Sequence, residues 1–252
     1  MNIKALITND KSRDFITYIK KVIGINYYSR SYSNLMGFTI RENYLQFKNY
    51  YELKEIPTDE LLSEYLPEIE TFKMVSQFWD KNVKSSLALG LKFDDKNETR
   101  YFHIKFGSFS RFVIQPKPSF IKILEYKIPN SGISYEYTNG VVLKKHYTYI
   151  ENKNDIAKVL ALNKLKIDPL ELEHLECYYT DSDFKVNLIY NKSRIVKPNL
   201  GELNKDTEKT YKEVVEFLEN HKKPILYVGI TKSKKLSLYF TATNDKDFIE
   251  NL

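Results

Sequence analysis

The sequence predicts an α/β protein in which ten antiparallel strands, drawn from five hairpins, close into a β-barrel with a ring of helices outside. Three observations lead there. Five segments share one design: a short strand, a turn of Asp, Asn, Lys, Gly or Ser, and a second strand. Helical signals separate those segments. The strands also alternate, one face apolar and the other carrying lysine, tyrosine and hydroxyls, as a barrel wrapped by helices requires. One domain over residues 1–252 accommodates all of this.

In chain order, DKSRDFITYIKKVIG is predicted as a helix with Phe15, Tyr18, Ile19, Val22 and Ile23 on one face and Gly24 at its end. LMGFTIRENYLQFKNYY is the first hairpin. TDELLSEYLPEIETFKMVSQFW reads as two helices, the second starting at Pro67. LALGLKFDDKNETRYFHIKF is the second hairpin, with Asp94 and Asp95 in its turn. SFIKILEYKI is predicted as a short helix after Pro118, and SGISYEYTNGVVLKKHYTY as the third hairpin. NDIAKVLALNKL is a helix capped by Asn154 or Asp155, and DPLELEHL a brief turn with Asp168 as cap and Pro169 first. HLECYYTDSDFKVNLIY is the fourth hairpin. DTEKTYKEVVEFLENH follows as a helix with Tyr211, Val214, Val215 and Leu218 in a stripe, then LYVGITKSKKLSLYF as the fifth hairpin. Four hairpins open at Gly37, Gly90, Gly132 and Gly229, and Glu176 stands in that place in the fourth.

Alternation sorts the two faces. Outward fall Met36, Phe38 and Ile40, Leu89, Leu91 and Phe93, Leu226, Val228 and Ile230, and Leu236, Leu238 and Phe240, among others; the second strand of the third hairpin is the muddled case. Inward fall Arg41, Lys48, Lys92, Lys105, Lys145, Lys185 and Lys235, with Tyr50, Tyr101, Tyr147, Tyr178, Tyr227 and Tyr239, His103, and two carboxylates, Glu136 and Glu176. Ten strands leave a wider lumen than the eight that side chains can fill. Cations gathered there need anionic company, because unpaired charge in a low dielectric costs several kcal/mol. A polyanion is the natural guest, and tyrosine faces suit a cationic or apolar part of it.

Composition bounds the rest. A net charge of +6 fits an anionic partner, and 20 tyrosines against a single tryptophan are the unusual feature. The lone cysteine, Cys177, excludes an internal disulfide framework. The N-terminal stretch lacks the apolar core of a signal peptide and no 18-residue apolar run exists, so the expectation is a cytoplasmic protein with no membrane partner. P-loop, GxGxxG, HExxH, zinc-spaced cysteine and GxSxG motifs are absent.

The five hairpins with helices between them, the Lys-x-Tyr pairs Lys48/Tyr50 and Lys145/Tyr147, and KKLSLYF, where Lys235 precedes Tyr239 by four residues, resemble the ABBA aromatic prenyltransferases, the PT-barrel family. The resemblance spans roughly Asn34 to Thr243. It implies a transferase with a prenyl diphosphate as co-substrate, held inside the barrel by Arg41, Lys48, Lys92, Lys105, Lys145, Lys185 and Lys235. It implies a shield of Tyr50, Tyr101, Tyr147, Tyr178, Tyr227 and Tyr239 around the allylic cation; Ile189 stands where a further tyrosine is expected. Glu136 and Glu176 are the carboxylates available as base, with His103 a weaker candidate. No DDxxD pair is present, so magnesium dependence stays open and no metal ligand is named. Only NDKDFIENL follows the last strand, and the cyanobactin branch of the family, which leaves a barrel mouth open, implies a peptide acceptor; a small aromatic acceptor is the alternative. Two other classes stay open: a barrel that binds single-stranded nucleic acid by stacking, which the inward lysines disfavour, and a barrel without activity.

Overall fold

The computed structural model describes residues 2–23, 34–42, 44–53, 64, 85–106, 120–123, 126–129, 132–138, 141–179, 184–190, 200, 203–231, 233–241 and 252. Ten strands form a closed antiparallel barrel. They are β1 (Asn34–Arg41), β2 (Tyr44–Leu53), β3 (Ser85–Phe93), β4 (Glu98–Phe106), β7 (Gly132–Thr138), β8 (Val141–Ile150), β9 (Leu172–Tyr179), β10 (Phe184–Tyr190), β11 (Ile225–Thr231) and β12 (Leu236–Thr241). Around the barrel the order is β1, β12, β11, β10, β9, β8, β7, β4, β3, β2, so the barrel strands follow one another in chain order except at one pair, with a separate two-stranded sheet falling in the chain between β4 and β7. The exception is the seam where β12 pairs with β1, Leu35 opposite Thr241 through to Ile40 opposite Leu236. Because each hairpin runs up and back beside the next, all five hairpin turns lie at one end of the barrel.

The outward faces are the apolar core. Phe38, Phe47, Phe93 and Phe240 are fully buried, and Phe38 sits against both Phe47 and Phe240 with ring centroids 5.4 and 5.9 Å apart. Helical residues belong to the same apolar cluster. In α1 (Ile3–Ile7) and α2 (Asp10–Ile23), Leu6, Ile7, Phe15 and Ile19 join the same apolar cluster as the strands, as do Ile156, Val159 and Leu160 of α3 (Lys153–Leu162). Tyr211, Val214, Val215 and Leu218 of α4 (Lys205–Asn220) form the stripe their spacing predicts. Phe15 meets Tyr51 edge-on at 5.7 Å. Burial of this area is the main stabilising force, at about 25 cal/mol per Å².

Several expectations change. Phe120–Ile123 and Tyr126–Pro129 are not a helix but the two strands β5 and β6 of a small separate sheet. Ile121, Ile123, Ile128 and the flanking aromatics favour extended backbone, and that preference outweighs the helical spacing. The cap of α3 is Asn152, whose side chain accepts from the backbone N–H of Asn154 and Asp155, the two residues expected to cap it. Asp168 and Pro169 open a short 3₁₀ turn as expected, Asp168 accepting from Leu170 N–H at 2.9 Å. In β11 the register shifts between Ile225 and Tyr227, so Ile225 enters the core while Leu226, expected outward, is only half-buried. The muddled strand β8 also has a cause: Val141, Val142, Leu143 and Lys144 are all exposed near its turn. The helices expected between residues 58 and 79 lie outside the described residues, apart from helical Glu64.

Candidate functional site

Glycine at three inward positions makes the interior possible. A β-carbon at Gly90 would overlap the ring end and hydroxyl of Tyr101, and one at Gly229 would overlap the Lys185 side chain. At Gly37 it would come within 2.9 Å of the Tyr239 ring. Long side chains from neighbouring strands therefore lie flat across glycine backbone, and Lys48 and Tyr239, on either side of Gly37, come together.

Lysines and tyrosines meet there face to face. Lys48 Nζ lies 5.5 Å from the centre of the Tyr239 ring and donates to its hydroxyl at 3.4 Å. Lys185 Nζ reaches the same ring at 5.2 Å and the Tyr178 ring at 5.6 Å. Lys145 shares Tyr178 at 5.4 Å, and Lys92 sits over Tyr101 at 4.1 Å. Behind them Tyr227 stacks on Tyr239 at 4.2 Å, Tyr147 packs on Tyr178 at 5.5 Å, and Tyr50 stacks with Tyr101 at 6.5 Å. Lys92, Lys185 and Lys235 lie at or next to hairpin turns, whereas Tyr50, Tyr149 and Tyr227 lie deeper. Lysines and tyrosines are nonetheless interleaved, with Tyr178 directly across from Lys185 and Lys92 over Tyr101.

The two carboxylates have different company. Glu136 accepts from Lys92 Nζ on Oε1 at 2.9 Å and from Lys145 Nζ on Oε2 at 2.6 Å. Glu176, on β9, accepts from the neutral amide of Asn187 at 3.0 Å. Among the described side chains this gathers Lys48, Lys92, Lys145, Lys185 and Lys235 against Glu136 and Glu176, a surplus of positive charge.

Titration follows from that crowding. Burial, with Lys92 and Lys235 nearby, pulls the Lys48 ammonium well below its ordinary range. Burial lowers Lys185 to about 8, against some help from Tyr239. Burial alone would raise the Glu136 carboxyl, but Lys145, Lys92 and His103 outweigh it and hold the group well below the carboxylate range. Burial, with Glu176 nearby, pushes the hydroxyls of Tyr147 and Tyr149 up, and burial with Tyr239 does so for Tyr227. These tyrosines stay neutral at physiological pH.

Of the expected site residues, Lys48, Lys92, Lys145, Lys185, Tyr50, Tyr101, Tyr147, Tyr178, Tyr227, Tyr239, Glu136 and Glu176 come together inside the barrel. Lys235 is close enough to act on Lys48. Arg41 does not join them: it ends β1 at a hairpin tip, where its inward parity no longer encloses it, and is exposed. For Lys105 only the backbone, opposite Ser134, falls within the described residues. Asn187, inward by parity but not assigned a role in the sequence, lies directly across from Glu176 and donates to it; inward parity alone was its signal, and the pairing comes from the register. Among the described residues no group of three His, Cys, Asp or Glu could hold a metal ion, and no helix is long and apolar enough to cross a membrane.

No protein-family model matches the sequence, and no curated protein matches it.

Proposed function

We propose that the chain is a prenyltransferase of the PT-barrel kind, its helices forming the outer ring of that fold, which moves a prenyl group from a prenyl diphosphate to a nucleophilic side chain of a peptide. The observation that carries the reading is the lysine cluster held on tyrosine faces inside a closed ten-stranded barrel. A surplus of enclosed positive charge calls for an anion, and the tyrosine faces among the lysines suit an allylic cation and chain. Lys48, Lys92, Lys145, Lys185 and Lys235 take the diphosphate. As the C–O bond of the allylic ester breaks, the electron pair leaves with the diphosphate, and preorganised ammonium groups stabilise that charge. Tyr50, Tyr101, Tyr147, Tyr178, Tyr227 and Tyr239 keep water from the cation while the acceptor supplies the electron pair of the new bond.

The acceptor's proton goes to a carboxylate, and Glu176 suits that role better than Glu136. Its partner Asn187 is neutral, whereas two ammonium groups make Glu136 a weak base. Lysines that face an enclosed interior favour a compact anion over a nucleic-acid strand. A small aromatic molecule is the alternative acceptor.

The test is incubation with dimethylallyl, geranyl and farnesyl diphosphates, each with tyrosine- or tryptophan-containing cyclic peptides and with the free amino acids, read by mass spectrometry. A peptide heavier by one prenyl group is expected. Modification of the small acceptors alone would move the assignment to the alternative, and no product with any pair would overturn the reading.

A further inference from the structure

Glu136 spans two strands' worth of positive charge. Its oxygens are divided between Lys92 of β3 and Lys145 of β8, at 2.9 and 2.6 Å, so one carboxylate bridges two ammonium groups as two oxygens of a phosphoryl group would. His103 on β4 is its direct cross-strand neighbour, Leu143 flanks it on β8, and its charge reaches Lys48 on β2. All three charged residues of this bridge are largely enclosed, with side chains exposed by 22% or less. The carboxylate therefore sits where the gathered lysines would otherwise meet an incoming anion.

Resting on the anion-binding reading above, we propose that Glu136 is a resident counter-anion that holds the ligand's anion seat until a phosphorylated ligand takes Lys92 and Lys145 and displaces it, and thereby selects for polyanions. Without it, two buried ammonium groups would face each other uncompensated, which is strongly unfavourable. With it, a weakly charged anion gains little by entering, because it only exchanges one pairing for another. A diphosphate gains more, since its second phosphoryl group also reaches Lys48 and Lys185 beyond the bridge. Glu136 is in this view a specificity-determining residue, and the proton acceptor is a different group.

The experiment is calorimetric titration of the full chain with inorganic phosphate and with inorganic pyrophosphate, in wild type and Glu136→Gln. Wild type is expected to favour pyrophosphate strongly. Glu136→Gln is expected to bind phosphate about tenfold or more tighter than wild type, the equivalent of one charge-assisted hydrogen bond no longer lost on entry. Its preference for pyrophosphate narrows accordingly. If the glutamine variant does not fold, Glu136→Asp, too short to span both lysines, should show the same trend, and the carbon-13 signal of the Glu136 carboxyl in wild type should shift on adding pyrophosphate. Binding by wild type with an unchanged preference in the variants, or an unmoved carboxyl signal, overturns the displacement. Failure of every protein to bind pyrophosphate overturns the anion-binding reading itself.

Discussion

Replacing Lys185 with methionine removes a buried ammonium group while keeping most of the side chain's length over Gly229. Burial lowers this group from 10.5 to about 8. At 1.36 kcal/mol per pKa unit, that depression amounts to a folded-state penalty of about 3 kcal/mol at pH 7, an upper bound. Loss of the contacts to Tyr178 and Tyr239 offsets part of the gain, so Lys185→Met should be more stable than wild type by about 1–2 kcal/mol at pH 7. The pH dependence has a definite sign. Between pH 8 and 10.5 the unfolded chain holds the lysine proton more tightly than the folded one, so the wild-type penalty is full below pH 8 and fades as pH rises. Urea unfolding of both proteins at pH 7 and pH 10 measures this, and the gap between them should shrink at the higher pH. Pyrophosphate titration of the same samples should show binding weakened at least tenfold in the variant, the loss of one charge-assisted bond. A variant less stable than wild type at pH 7, or a gap that does not move with pH, would refute the reasoning.

Tyr239→Ala removes the ring that Lys48 and Lys185 share and that Tyr227 stacks on. Contact of such a face with a desolvated cation is worth about 2 kcal/mol, so the variant should release prenyl alcohol beside the transfer product; unaltered coupling by mass spectrometry would remove the tyrosine from the shield. Glu176→Gln should lower the transfer rate by a factor of about 100 or more while leaving pyrophosphate affinity within a factor of two, and equal losses in both would argue against a base. Lys222 follows α4 with φ of 54°, a conformation that glycine adopts at no cost. Lys222→Gly should therefore stabilise the protein by about 0.5–1 kcal/mol in urea unfolding, and a loss of stability would mean that its side chain contributes more than its backbone costs.

Most of the barrel was legible because its strands obey a two-residue rhythm with strong contrast. Phe38, Phe47, Leu238 and Phe240 against Lys48, Lys185 and Tyr239 separate an apolar face from a polar one. What the rhythm does not carry is register. That Lys92 lies opposite Lys48, or that Asn187 lies opposite Glu176, depends on how far each strand slides along the next, which turn geometry and barrel stagger set together. The shift at Ile225 and Tyr227 is a local instance: one displaced residue sends Ile225 into the core in place of Leu226. The Phe120–Pro129 sheet was misread for a different reason, since FIKILEYKIP satisfies helical spacing and extended preference at once. Arg41 shows the limit of parity at a strand's end, where a side chain on the inward side is no longer enclosed.

The seam between β1 and β12 has a kinetic consequence. Its six pairs join residues roughly 200 positions apart, whereas hairpin contacts are local and form early, so sealing the circle is expected to be the slow step of folding. Until the last hairpin arrives, β1 offers an unpaired edge carrying Leu35, Met36, Phe38 and Ile40, a template for another chain's strand. Nascent or heat-stressed molecules would then associate edge to edge through this one strand, and the yield of recombinant protein would depend on how quickly residues 236–241 find it.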